Sequence, residues 1–120
     1  MTRVLLVEDD RWLAELYESV LQRDGHTVDV AHHALAAMDV IENNVPSVIV
    51  ADVLLAGSTI FPLLHELQSY GDTGVIPVIL CTNIADQFDL EALKTYGVVR
   101  IIDKTTIDPA DIAASVRSAL

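Results

Sequence analysis

Short runs of consecutive apolar residues alternate along this chain with longer stretches in which apolar positions recur every three or four residues. Residues 4–7, 48–51 and 76–81 are apolar at nearly every position. Strands that are apolar on both faces belong to a sheet covered on both sides. Residues 27–31 and 98–102 read as two further, more mixed strands. The intervening stretches have helical spacing: Leu13, Leu16, Tyr17, Val20 and Leu21 within 11–23; Leu35, Met38 and Ile41 within 34–42; Phe61, Leu64 and Leu67 within 60–70. Two more helices are predicted over 86–96 and 108–120.

Local punctuation supports these boundaries. Asp10 is placed to cap the first helix, and Gly25 breaks the chain after it. Asn43, Asn44 and Pro46 end the second helix, and Gly71, Asp72 and Gly74 turn the chain after the third. Gly97 occupies the usual position of a left-handed C-cap. Asp108, Pro109 and Asp111 form an N-terminal signature for the last helix. Five strand–helix units in succession predict an α/β fold, a doubly wound parallel sheet with helices on both faces, as a single domain over 1–120.

Composition narrows the function classes. The chain has 120 residues, 7 Lys and Arg against 18 Asp and Glu, and a net charge of −11. So acidic a surface repels nucleic-acid phosphates and anionic membranes. The single cysteine, Cys81, excludes an internal disulfide and falls in an apolar run, which predicts a buried core position. No apolar run approaches the roughly 20 residues of a membrane span, and no signal-peptide pattern opens the chain. A cytoplasmic location is the resulting expectation.

In a doubly wound sheet, ligands bind beyond the carboxyl ends of the strands. The residues at those ends are Glu8, Asp9 and Asp10 after the first strand, Asp52 after the third, Thr82 and Asn83 after the fourth, and Asp103 and Lys104 after the fifth. Three adjacent acids repel one another unless a cation or a set of donors lies among them. Carboxylates on neighbouring strand ends suit Mg²⁺, a hard cation that takes oxygen ligands. A carboxylate beside that cation can attack a phosphoryl group, whose oxygens then need positive charge and donors. Asp10 reads instead as the helix cap. His26, His32, His33 and His65 show no metal-ligand spacing and are expected at the surface. Trp12 directly follows the acids and is expected to cover the start of the first helix or to pack in the core or rim.

The segments "VLLVEDD", "SVIVADVLLAG", "IPVILCTN" and "IIDKT", in this order, resemble the receiver domains of two-component response regulators, the CheY-like family. The resemblance covers the whole chain. It implies a flavodoxin-like (βα)₅ sandwich with strand order 2-1-3-4-5, acting as a phosphorelay signalling switch rather than as a turnover enzyme. It also implies Asp52 as phosphoacceptor, and Mg²⁺ held by Glu8, Asp9, Asp52 and the Leu54 backbone carbonyl. Thr82 and Lys104 would contact the phosphoryl oxygens. The implied partner is a sensor histidine kinase or histidine phosphotransfer protein. Phosphorylation would reshape the helix 4–strand 5–helix 5 face, through which two copies could also pair.

Several positions depart from the family pattern. Thr105 follows Lys104 where proline is usual, Asn83 stands where a small residue is favoured, Ile101 replaces an aromatic residue, and Ala56 replaces a common proline. Leu54 and Ile84 are apolar at positions that flank the route of hydrolytic water, which predicts slow self-dephosphorylation. A degenerate receiver acting as a phosphorylation-independent binding module is the second reading. A Mg²⁺-dependent phosphohydrolase would need a second acid two residues after Asp52 and a cap, and a flavin site would be repelled by the three acids.

Overall fold

The structure is a computed structural model that describes residues 2–120. β1 (Arg3–Val7), β2 (Thr27–Ala31) and β3 (Val48–Ala51) alternate with α1 (Arg11–Arg23) and α2 (Ala34–Asn43). A small hairpin follows, β4 (Leu54–Leu55) and β5 (Ser58–Thr59), then α3 (Phe61–Gln68), β6 (Val78–Thr82), α4 (Leu90–Leu93), β7 (Val98–Asp103) and α5 (Ala110–Ala119). The main sheet has five parallel strands in the order β2-β1-β3-β6-β7. Since β6 and β7 are its fourth and fifth strands, this is the expected 2-1-3-4-5 layout. The hairpin β4–β5 was not predicted. It is a two-residue antiparallel pairing, Leu54 with Thr59 and Leu55 with Ser58, turned at Gly57 with φ +75°.

Alternation along the strands divides the core in two. Leu5, Val7, Ile49, Ala51 and Leu80 face α2, α3 and α4, packing with Ala37, Ile41, Leu64, Leu67 and Leu93. Their neighbours Val4, Leu6, Val48, Val50, Ile79 and Cys81 face α1 and α5, packing with Tyr17, Leu21, Ile112 and Val116. Each apolar strand residue therefore has a helix to pack against, whichever face it points to. Cys81 is buried, as expected.

The fourth helical stretch differs from the prediction. A 3₁₀ turn over Ala85–Gln87 ends at Phe88, which is extended with φ −119° and ψ 142°. Asp89 then accepts the Glu91 N–H and starts a new short helix, which tightens into a second 3₁₀ turn over Lys94–Tyr96. Two forces break the helix here. Asp favours a cap over a helix interior, and Phe88 turns inward to pack at a tilt against Phe61, ring centroids 5.7 Å apart. Gly97 closes the segment at φ +82°, the left-handed cap.

At the last helix the cap shifts by one residue. Pro109 is already helical, while the Asp108 carboxylate accepts the Ala110 N–H and the Asp111 carboxylate accepts the Asp108 N–H. Among the described residues no helix is long and apolar enough to cross a membrane.

Candidate functional site

The ends of β1, β3 and β7 assemble the site through one shared geometric rule. Leu6, Val50 and Ile102 all point to the α1/α5 side of the sheet. Residues two positions on point the same way if the backbone keeps its extended pairing, and in each case the inter-strand hydrogen bonding runs one residue past the strand's end. Glu8 N–H donates to the Ala31 carbonyl at 3.0 Å, Asp52 N–H to the Val7 carbonyl at 3.1 Å, and Lys104 N–H to the Thr82 carbonyl at 3.0 Å. Glu8, Asp52 and Lys104 thus converge on one side of the sheet, 96 residues apart in sequence at the extreme.

The Lys104 ammonium bridges both carboxylates. Nζ donates to Asp52 Oδ2 at 2.7 Å and to Glu8 Oε1 in a closer contact. All three side chains are buried, with 6% of Lys104, 2% of Glu8 and 10% of Asp52 exposed. Burial pushes the Glu8 carboxyl above the usual range, a rise that Lys104 opposes. Burial alone would lower the Lys104 pKa, but the hydrogen bonds and charges of Asp52 and Glu8 outweigh it and hold the amine more firmly protonated.

Asp9 stands at the exposed rim. One carboxylate oxygen from each of Glu8, Asp9 and Asp52 lies within 4.8 Å of the others. Asp10 caps α1 by accepting the Leu13 N–H at 3.1 Å, as expected, and its own N–H is held by Glu8 Oε2. Leu54 reaches the site through its backbone, its N–H donating to Asp52 Oδ1 at 3.4 Å, while its side chain is exposed.

Thr82 ends β6 next to Lys104 but sits differently from the other three. Its side chain is buried, and its hydroxyl accepts the Ile84 N–H at 3.4 Å. By strand alternation it shares the side of Leu80, opposite Cys81, so it borders the acidic group from the neighbouring strand rather than joining the ammonium bridge. Lys104 reaches the carboxylates without a following proline. No peptide bond among the described residues is cis, and the Asp103 carboxylate folds the loop by accepting both the N–H and the hydroxyl of Thr105, at 2.8 and 2.6 Å.

Three supporting groups were not apparent from spacing. His32 Nδ1 donates to the Glu8 carbonyl at 2.9 Å and so ties the end of β2 to the acidic loop. Tyr17 and Cys81 lie beneath the charged trio, and burial pushes both pKa values up to about 12. Tyr17 and Cys81 occupy ordinary apolar helix and strand positions, so nothing in the pattern separates them from core.

The surface expectation holds for His33 and His65, which are exposed, and needs correction for the other two histidines. His26 and His32 are half-buried rather than at the surface, and exposed His33 caps α2 by accepting the Ala36 N–H at 3.1 Å. His26 turns toward Asp24, with 3.4 Å between ring and carboxylate. Trp12 is 70% exposed and is not part of the core.

Comparison with known proteins agrees with this fold. The family model described as "Response regulator receiver domain" matches residues 4–117. Response regulator MprA of Mycobacterium sp. (strain KMS) is 32% identical over 80 residues, which cover 67% of this chain and 34% of that protein. The matched part is thus about a third of that relative's length. The chemotaxis protein CheY4 of Vibrio cholerae superposes with a TM-score of 0.87 at 20% identity, covering 100% of this chain and 99% of that one. Response regulator TrrA of Thermotoga maritima, solved in complex with Mg²⁺ and BeF, gives 0.84 at 19% identity, covering 100% of both chains. The structural likenesses establish the flavodoxin-like receiver fold. The family match, spanning nearly the whole chain, establishes more: this protein is a member of the response regulator receiver domain family, the CheY-like phosphoacceptor modules of two-component signalling.

Proposed function

We propose that residues 1–120 act as a phosphorylation switch with Asp52 as the phosphoacceptor. The observation that carries this reading is the buried trio of Glu8, Asp52 and Lys104, with Asp9 beside it at the same rim. Three clustered carboxylate oxygens suit a hard divalent cation. Glu8, Asp9 and Asp52, with the Leu54 backbone carbonyl, would hold Mg²⁺. Bound there, the cation would neutralise charge on the transferring phosphoryl group.

The chain's own residues carry the remaining steps. An Asp52 carboxylate oxygen attacks the phosphorus of a phosphohistidine. The P–N bond breaks, its electron pair returns to the imidazole nitrogen, and an aspartyl phosphate is formed. Lys104 already touches the Asp52 carboxylate, so its ammonium needs only a small shift to follow charge onto the phosphoryl oxygens. Thr82, at the end of the adjacent strand, would supply a hydroxyl to the same oxygens. The donor would be a sensor histidine kinase or a phosphotransfer protein. Addition of about −1.5 to −2 charge at the ends of β3, β6 and β7 would bias the α4–β7–α5 face that a partner or second copy reads.

Incubation with acetyl phosphate and Mg²⁺, followed by intact-mass measurement, tests the assignment. One phosphoryl group is expected on the wild type, none on Asp52→Asn, and a large loss when EDTA replaces Mg²⁺. Equal labelling of Asp52→Asn would refute Asp52 as the acceptor.

A further inference from the structure

Far from Asp52, the C-terminal turns of α2 and α3 leave a groove of about 310 Å³. Its rim is built by the loops that lead into β3 and β6, so it lies at the opposite edge of the sheet from the acidic site. Met38, Ile41 and Leu67 form an apolar floor. Val45 and Tyr70 stand at its mouth, 50% and 57% exposed, large apolar surfaces left in water.

The charge around this groove has one sign. Glu42, Glu66 and Asp72 flank it, and no lysine or arginine does. Between Arg23 and Lys94 the chain has no lysine or arginine at all. Ion pairs among the described residues occur elsewhere, at Asp24, Asp29, Glu91 and the Lys104 site, so none compensates these three acids. Such a surface repels nucleic acid. It also disfavours a second copy docked groove to groove, which would bring like charges together.

We propose that this groove docks a short cationic amphipathic segment of another polypeptide. One or two apolar side chains would sit on the floor between α2 and α3, with Lys or Arg side chains against Glu42, Glu66 and Asp72. The surface is separate from the phosphorylation site, so the two readings stand or fall independently.

The test uses a fluorescein-labelled synthetic peptide of leucine and lysine at helical spacing, titrated with the protein by anisotropy at physiological salt. A triple variant, Glu42→Gln, Glu66→Gln and Asp72→Asn, is compared with a control of equal charge change, Glu15→Gln, Glu18→Gln and Asp86→Asn. Three exposed ion pairs predict about tenfold weaker binding for the groove variant and at most about threefold for the control. Tyr70→Ser should also weaken binding, Asp52→Asn should leave it unchanged, and amide NMR shifts should centre on Met38, Tyr70 and Thr73. Equal losses in the two triple variants, or shifts centred elsewhere, would overturn the proposal. Thermal melts of both variants verify that each is folded.

Discussion

Replacement of Lys104 by methionine tests the charged trio most directly. Methionine keeps most of the apolar stem and removes only the ammonium. At 2.7 Å and an effective dielectric near 20, the Asp52 contact alone amounts to about 6 kcal/mol of Coulomb attraction. The cost of burying the ammonium cancels much of that. What remains uncompensated is the pair of carboxylates, and Glu8, 2% exposed, cannot rehydrate. Breaking a buried ion pair from one side typically costs about 3–5 kcal/mol, and Lys104→Met is expected to lose about 3–4 kcal/mol at pH 7 in EDTA.

The sign with pH discriminates this cause from a packing defect. Glu8 already has a raised pKa in the fold, and removal of the ammonium that opposes the rise lifts it further. A raised carboxyl favours the folded state at low pH and loses that contribution as pH climbs through its folded value. The gap between wild type and variant therefore narrows as pH falls from 7 to 5, because each proton taken up by Glu8 removes charge that needs a partner. Adding Glu8→Gln to the variant should recover stability, and millimolar Mg²⁺ should stabilise the variant more than the wild type. Urea unfolding at the two pH values measures all of this. A loss below about 1 kcal/mol, or a gap independent of pH, would refute the electrostatic account.

Other consequences can be checked separately. Burial raises the Tyr17 and Cys81 pKa values to about 12, and Lys104 is raised by its partners, so the unfolded chain gives up these protons first. Stability should hold to about pH 9 and then fall with a slope approaching about 1.4 kcal/mol per pH unit for each such group; a flat urea midpoint between pH 9 and 11 would contradict this. Gly97→Ala forces φ +82° on a residue with a Cβ, which would sit 3.2 Å from the Ile76 carbonyl, and should cost about 1–3 kcal/mol in thermal or urea melts. Leu54 and Ile84 offer no polar group to orient water, so Phos-tag gels should show the phosphorylated protein persisting well beyond a few minutes. Polar replacements, Leu54→Asn with Ile84→Gln, should shorten that lifetime severalfold.

Much of this molecule was legible in its pattern of apolar and polar positions. Bounds such as Arg11–Arg23, Thr27–Ala31 and Val48–Ala51 coincide with the expected ones because periodicity, an aspartate cap and strand-end polar residues agree locally. Glu8, Asp9, Asp52, Thr82 and Lys104 could be singled out because a parallel sheet brings strand ends to one edge. Local pattern could not decide what depends on contacts distant in sequence. Phe88 leaves its helix because Phe61 lies across from it. His32 is held half-buried by the Glu8 carbonyl, and the loop after β7 is shaped by Asp103 and Thr105 without the family proline. Above all, the bridging of Glu8 and Asp52 by one ammonium, with Thr82 bordering the bridge from the next strand without joining it, depends on strand register and on burial. Period-two alternation indicates which residues share a face; only the paired strands determine which faces meet, and so where the charges lie.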